Sequence, residues 1–333
     1  MKKILNDPYA YVDEMLAGMT AAHPAHYRLH GDTGRVIVRA TPGRQGKVGI
    51  VSGGGSGHLP VFTGYVGEGL LDACAIGDVF ASPSVEQMAD AIRAADRGAG
   101  VVRLYGNYGG DIMNFDMAGD MVEMDDIATT TVIFADDVPS AKPEEAAKRR
   151  GVAGMVYGFK IAGACAEEEG SDLQAVTAAG KRAADACRSV GFALTSCTVP
   201  QAGKPTFEIG ATEMEMGMGI HGEPGIWRGE LRSADRIAEE MMDILLTDRA
   251  VGGSGRVSVM VNSLGATPPE ELYIMYRIIK SRLEGAGAEI VMPLVGRYAT
   301  SMEMAGASIT LCHLDDDLER WLKAPADCAF WKV

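Results

Sequence analysis

The chain has 333 residues, 47% of them hydrophobic and 23% charged, with 42 glycines and a net charge of −14. That length favours two domains of roughly 150 residues each, and the composition is that of an ordinary globular protein. The acidity argues against nucleic acid or an anionic membrane as a partner, because either would repel it. Cys74, Cys165, Cys187, Cys197, Cys312 and Cys328 form no CxxC pair, so neither a zinc knuckle nor a dense disulfide framework is supported and reduced, structural thiols are expected. The start, Met1-Lys2-Lys3-Ile4-Leu5-Asn6-Asp7, lacks the apolar core of a signal peptide, and no run approaches the ~20 apolar residues of a membrane span. A cytoplasmic location is the expectation.

In chain order, residues 7–22 carry Tyr9, Val12, Met15, Leu16 and Met19 at helical spacing behind Asp7-Pro8, which predicts a packing helix. His23, His26 and His30 follow without carboxylates or cysteines at ligand spacing, so they read as surface loop residues and no metal site is expected. Lys47–Val51 is a strand running into Ser52-Gly53-Gly54-Gly55-Ser56-Gly57-His58. Four glycines in six residues remove side chains and permit positive φ, so backbone N–H groups can face an oxygen-rich ligand, although a plain tight turn would use the same residues. His58 adds a group that titrates near neutral pH. Residues 59–85, rich in small residues, read as a long connection lining a pocket.

A helix over 85–95 precedes a strand, Val101–Tyr105, which runs into Gly106-Asn107-Tyr108-Gly109-Gly110-Asp111 and a helix carrying Ile112, Phe115, Met117 and Met121. A third strand, Thr129–Phe134, ends in Asp136-Asp137. Strands each followed by a helix or long crossover describe a parallel α/β sheet, whose ligands sit at the carboxyl ends of the strands, where His58 and Asp111 would project. Asp111 could equally cap its helix, and Asp136 and Asp137 are read as structural.

Two helices, 151–169 and 171–190, close the first half, the second opening with a capping-box spacing at Ser171–Gln174 and ending at Gly191. The domain boundary is placed near 190, giving an N-terminal α/β domain over 1–190 and a C-terminal one over 191–333, each a central sheet flanked by helices. The second half presents Gly219-Ile220-His221-Gly222-Glu223-Pro224-Gly225, a helix over 233–247 and a strand, Val257–Val261. Asn262-Ser263-Leu264-Gly265-Ala266-Thr267 and a helix from Pro268 follow, then strands near Glu289–Pro293 and Ser308–His313. Two histidines in glycine settings and one aspartate at a strand end make a nucleophile or base with orienting groups, suited to a small polar metabolite. Neither GxxxxGK[ST] nor GxSxG occurs, so direct nucleotide binding by this chain is not supported.

The 52–58 and 219–225 stretches, together with Asn107-Tyr108-Gly109-Gly110-Asp111-Ile112-Met113-Asn114-Phe115, Cys197-Thr198-Val199-Pro200 and Asn262–Pro268, resemble the dihydroxyacetone kinase K subunit family, in order across nearly the whole chain. The resemblance implies a homodimeric, two-domain subunit holding a short-chain ketose as a hemiaminal between its C2 carbonyl and His221. It also implies that His58 and Asp111 hydrogen-bond and deprotonate the attacking hydroxyl, with Gly55, Ser56 and Gly57 binding ketose oxygens. The donor, ADP or ATP with Mg, is expected on a separate L-type subunit, re-phosphorylated by a phosphotransferase-system protein or exchanged for ATP, and no cofactor is expected on this chain, which stops at Val333. In dihydroxyacetone-using members a lysine commonly stands before the Asn-Tyr pair and a glutamate after the loop histidine; here these places hold Gly106 and Leu59, which implies a larger, less polar pocket and makes erythrulose a candidate. The competing expectation is a non-catalytic ketose sensor acting on a transcription regulator.

Overall fold

The computed structural model of the chain describes residues 2–333. Helix α1 (Tyr11–Ala22) buries Val12, Leu16 and Met19, as their helical spacing requires. The histidine-bearing segment after it is partly a hairpin: β1 (Tyr27–His30) pairs antiparallel with β2 (Val36–Arg39). Only Tyr27 of β1 is buried, so its sequence carries no alternation by which a strand would be recognised.

Strand β3 (Gly49–Ser56) is buried along its full length and takes in most of the glycine stretch that sequence reading assigns to a loop. The reason is crowding. A Cβ on Gly54 would lie 2.2 Å from Phe62 Cε2, and one on Gly53 would lie 2.8 Å from the Ala75 carbonyl oxygen. Only Gly57, with φ of +105°, turns the chain. The connection read over 59–85 contains β4 (Ala73–Val79), whose small residues hide its strand character. Helix α2 (Val85–Ala95) follows behind a reciprocal Ser84–Gln87 capping box. Then come β5 (Val101–Gly106), α3 (Gly109–Glu123) and β6 (Thr129–Phe134). The sheet order is β1-β2-β4-β3-β5-β6, with the last four strands parallel. Their carboxyl ends bring Ser56, Phe80 and the start of α3 to one edge.

Helix α4 (Gly154–Glu167) is buried from Gly154 to Ala166, because it lies between two sheets instead of on a surface. A single core joins Leu104 and Val132 of the first sheet, Phe159 of α4, and Met260 and Cys312 of the second. Helix α5 (Leu173–Ala186) shares this layer and ends before residue 190, since Cys187–Ala193 is strand β7. A boundary at 190 therefore falls inside β7. Asp136 ties the layers together by accepting hydrogen bonds from Val152 N at 3.0 Å, Gly154 N at 2.8 Å and Ser189 Oγ at 2.5 Å, the structural role read for it.

The second half adds β8 (Glu213–Met216), β9 (Trp227–Glu230), α6 (Ala234–Asp248), β10 (Arg256–Ser263), α7 (Pro269–Gly285), β11 (Glu289–Ile290), β12 (Leu294–Gly296), β13 (Gly306–Leu314) and α8 (Asp316–Lys323). The sheet order is β11-β10-β13-β7-β8-β9, with β12 also on β10 and β13 antiparallel to both its neighbours. All six cysteines are free and buried. Among the described residues no helix is long and apolar enough to cross a membrane.

Gly54→Ala should lower stability by about 1–3 kcal/mol, the usual cost of overpacking, because its Cβ meets Phe62. Urea unfolding of the variant, alone and combined with Phe62→Leu, measures this; the second change should restore part of the loss.

Candidate functional site

His58, Asp111 and His221 meet at the carboxyl edge of the first sheet, although they come from both halves of the chain. His58 is fully buried and its Nδ1 lies 2.7 Å from the Thr300 carbonyl. A carbonyl accepts only, so Nδ1 carries the proton and Nε2 keeps a lone pair. That Nε2 is buried with no partner. Burial, and then the neighbouring His221, lower the pKa of His58 to about 3, so its ring is neutral at physiological pH.

His221 lies between β8 and β9, with ring centroids of His58 and Tyr108 each at 4.8 Å and Phe80 at 5.3 Å. Glu223 grips it twice: Oε1 lies 2.8 Å from Nδ1, and Oε2 accepts from the His221 backbone N–H at 2.9 Å. Burial alone would raise the pKa of Glu223, but the hydrogen bond and charge of His221 outweigh it and hold the carboxyl at about 2. With the Nδ1 proton directed at an ionised carboxylate, Nε2 is the His221 nitrogen left to meet a ligand.

Asp111 sits in the first turn of α3 and is 6% exposed. It does not cap the helix, because the N-cap position is Tyr108 and makes no side-chain cap. Its Oδ1 is buried without a partner. Burial raises its pKa to about 6, with Ser82 and His221 pulling the other way. The Tyr108 hydroxyl is also buried and unpartnered. Native proteins seldom leave such atoms unpaired, so His58 Nε2, Asp111 Oδ1 and the Tyr108 hydroxyl, gathered around one histidine, mark a place for the polar groups of a ligand.

The glycine stretch makes room for Phe80. A Cβ on Gly55 or on Gly57 would lie 2.7 Å from Phe80 atoms, and Phe80 N donates to the Ser56 carbonyl at 3.0 Å. Phe80 adopts φ of +58°, an uncommon conformation for a bulky residue, and its ring stacks on His58 with centroids 5.0 Å apart. Leu59 lines a cavity of about 340 Å³ that it shares with Ser56 and Gly57. Gly106 is different, since a Cβ there would lie 3.0 Å from Tyr108 Cε2 and 3.2 Å from the Gly151 carbonyl oxygen. The Tyr108 ring thus occupies space that a longer side chain at 106 would need. Sequence reasoning missed Glu223, Tyr108, Phe80 and Thr300; of these, only Glu223, two residues from His221, carried a local signal.

A carboxyl whose folded pKa stands above its ordinary 3.8 contributes stability fully below that value and loses it as pH rises through about 6. Asp111→Asn removes the ionisable group and should raise stability at pH 8 by about 1–3 kcal/mol, since one pKa unit is worth about 1.4 kcal/mol. Unfolding measured from pH 4 to pH 8 should show the gain growing with pH.

Comparison with known proteins identifies the family. The Dak1 domain model matches residues 17–330. Over 333 residues the chain is 44% identical to the dihydroxyacetone-binding subunit DhaK of the PTS-dependent dihydroxyacetone kinase 2 of Listeria innocua, covering 100% of each. It is 42% identical over 332 residues to the D-erythrulose kinase of Mycolicibacterium smegmatis, covering 100% of this chain and 57% of that one. Among solved structures, the dihydroxyacetone kinase operon co-activator DhaQ superposes with a TM-score of 0.87 at 30% identity, covering 94% of this chain and 96% of the other. The chain belongs to the Dak1 domain family.

Proposed function

We propose that this chain is the ketose-binding subunit of a dihydroxyacetone kinase-type enzyme, which phosphorylates the terminal hydroxyl of dihydroxyacetone or erythrulose held covalently on His221. The observation that carries the reading is the Glu223 grip on His221 Nδ1, which fixes the ring and leaves Nε2 as the nitrogen free to act, beside three unpartnered polar atoms. The phosphoryl donor is a nucleotide on a separate L-type subunit, re-phosphorylated through a phosphotransferase-system protein or exchanged for ATP, and this chain works as a homodimer.

The lone pair of His221 Nε2 adds to the C2 carbonyl carbon; the π pair moves onto oxygen, which takes up one proton from solvent, so forming the adduct consumes one proton overall. The ring becomes cationic and Glu223 balances that charge at Nδ1. A ketone accepts this addition whereas an alcohol such as glycerol does not, so the nucleophile itself selects the substrate class. The neutral His58 accepts a hydrogen bond from the ketose through Nε2, and Asp111 takes the proton of the terminal hydroxyl as it attacks the phosphoryl group. A carboxyl with a pKa of about 6 is largely ionised at neutral pH yet basic enough for that transfer.

The likeness to an operon co-activator favours a second reading, a ketose sensor without turnover. Against it, adduct formation requires only His221 and Glu223, whereas the Asp111 carboxyl, raised to about 6, is suited to taking a proton as well as to binding a hydroxyl.

Assayed with its L-type partner, Asp111→Asn should retain the ketose adduct by intact mass while kcat falls roughly 10²–10⁴-fold. His221→Ala should lose the adduct, and Glu223→Gln should weaken ketose binding roughly 10–100-fold, the loss of a hydrogen bond to a charged group. The wild-type rate should fall on the acid side with an apparent pKa near 6, the value of Asp111. Turnover of Asp111→Asn near the wild-type rate would favour the sensor.

Leu59 stands where dihydroxyacetone-using members commonly carry a glutamate, and that loss of charge supports a ketose longer than three carbons, so erythrulose should show a higher kcat/KM than dihydroxyacetone. Leu59→Glu should move the ratio toward dihydroxyacetone by about tenfold, equivalent to roughly 1.4 kcal/mol of transition-state binding. A wild-type preference for dihydroxyacetone of that size would reject the four-carbon assignment while leaving the kinase reading intact.

A further inference from the structure

At the opposite end of β3 and β4 from His58 lies a cavity of about 390 Å³, formed by the β1–β2 hairpin, the loop before β3 and the C-terminal end of α2. Its walls include Arg28, Arg39, Arg93 and Arg97, with His30 beside them, against a single carboxylate, Asp72. This is a concentration of positive charge in a chain of net charge −14.

The charges divide into two groups. Asp72 is already saturated: Lys47 Nζ lies 2.6 Å from Oδ2, Arg39 donates to Oδ1 at 2.9 Å, and Ile50 N donates to Oδ2 at 2.9 Å. Arg39 also reaches Glu167 at 2.9 Å, and Arg93 pairs with Asp125 at 2.8 Å. Arg28 and Arg97 are uncommitted. Among the described residues the side chain of Arg28 makes no hydrogen bond or ion pair, and that of Arg97 bonds only to the neighbouring Asp96 carbonyl, at 2.8 Å. Two guanidiniums without a carboxylate thus line one cavity, over a buried ionic floor that prevents Asp72 from competing for them.

We propose that this cavity is a second ligand site, which binds a small molecule bearing a phosphate monoester through Arg28 and Arg97. Planar guanidinium groups match phosphate oxygens in pairs, and these two residues bring that chemistry to one cavity. The cavity volume suits a metabolite, and a concave site favours it over a protein surface. The assignment is independent of the kinase reading, since neither arginine belongs to the site around His221.

The test is calorimetric titration of the full chain, without ketose or L-type partner, using glycerol 3-phosphate, inorganic phosphate and potassium chloride at matched ionic strength. Wild type should bind the monoester saturably and chloride should give no heat beyond dilution. Tighter binding of glycerol 3-phosphate than of phosphate identifies an organic phosphate as the ligand class, whereas equal affinity identifies the free anion. Arg28→Ala/Arg97→Ala should weaken binding at least tenfold, the lower end for losing one hydrogen bond between charged groups. Arg28→Lys/Arg97→Lys, which keeps the charge and loses the fork, should fall between. Equal affinity in wild type and the alanine variant, or a signal that chloride reproduces, would overturn the proposal. So would a changed sedimentation coefficient in the alanine variant without altered phosphate affinity, which would show the arginines to be a contact between copies.

Discussion

The site depends on a hydrogen bond between residues 242 positions apart, from His58 Nδ1 to the Thr300 carbonyl. Without it the imidazole could place its proton on either nitrogen, and Nε2 would be no more committed to accepting than Nδ1. Thr300 belongs to the second half of the chain, and its hydroxyl also bonds the Leu59 carbonyl at 3.1 Å while its N–H meets the His58 carbonyl at 3.3 Å. His221, from the same half, then closes against His58. The two halves must be docked before His58 has a defined tautomer, whereas His221 takes its own from Glu223 in the same half. The sandwiched α4 layer, with its core continuous from Leu104 to Cys312, supplies that docking.

The same packing imposes a cost at the site. A buried carboxyl at about 6 and a buried imidazole at about 3 are both displaced away from their charged forms, and three polar atoms are left without partners. Glu223 is displaced in the other direction because it has found its partner in His221. Asp136 supplies the contrast within the same fold. It too is buried, yet three donors surround its carboxylate, as befits a group that holds layers together. Among these buried acids, the presence or absence of partners separates structural from chemical roles more clearly than burial does.

That distinction explains what could be read in advance. Asp111 follows β5 after a glycine-bearing segment and Asp136 follows β6 after Ala135, but neither setting shows which carboxyl will be partnered, because the donors that satisfy Asp136 come from residues 152, 154 and 189. The helices α2, α3 and α6 were legible because one face of each is apolar at helical spacing, and β5 and β6 because they are β-rich runs bounded by turns. The glycine stretch was recognised as special but misread as a loop, since its requirement for small residues comes from Phe62, Ala75 and Phe80, whose approach only the tertiary structure reveals. Sequence reading passes over strands β1, β2, β4, β8 and β9, which are short, small-residued or exposed, and takes the first part of β7 into the helix before it. Glu223 was visible as a residue and invisible as a partner.

The glycine strand also links recognition to mechanics. β3 begins two residues after Lys47, which is bound to Asp72, and ends at Ser56, whose carbonyl receives Phe80 N. Its whole length is buried, and its glycines leave neighbours in direct backbone contact, so there is little slack between its ends. β4 runs parallel to it from just after Asp72 to Val79, immediately before Phe80. Phe80 in turn stacks on His58 and meets His221. The ionic cluster at one end and His58 with Phe80 at the other are therefore carried by the same two adjacent strands, and it is through His58 and Phe80 that this pair of strands meets His221 of the second half.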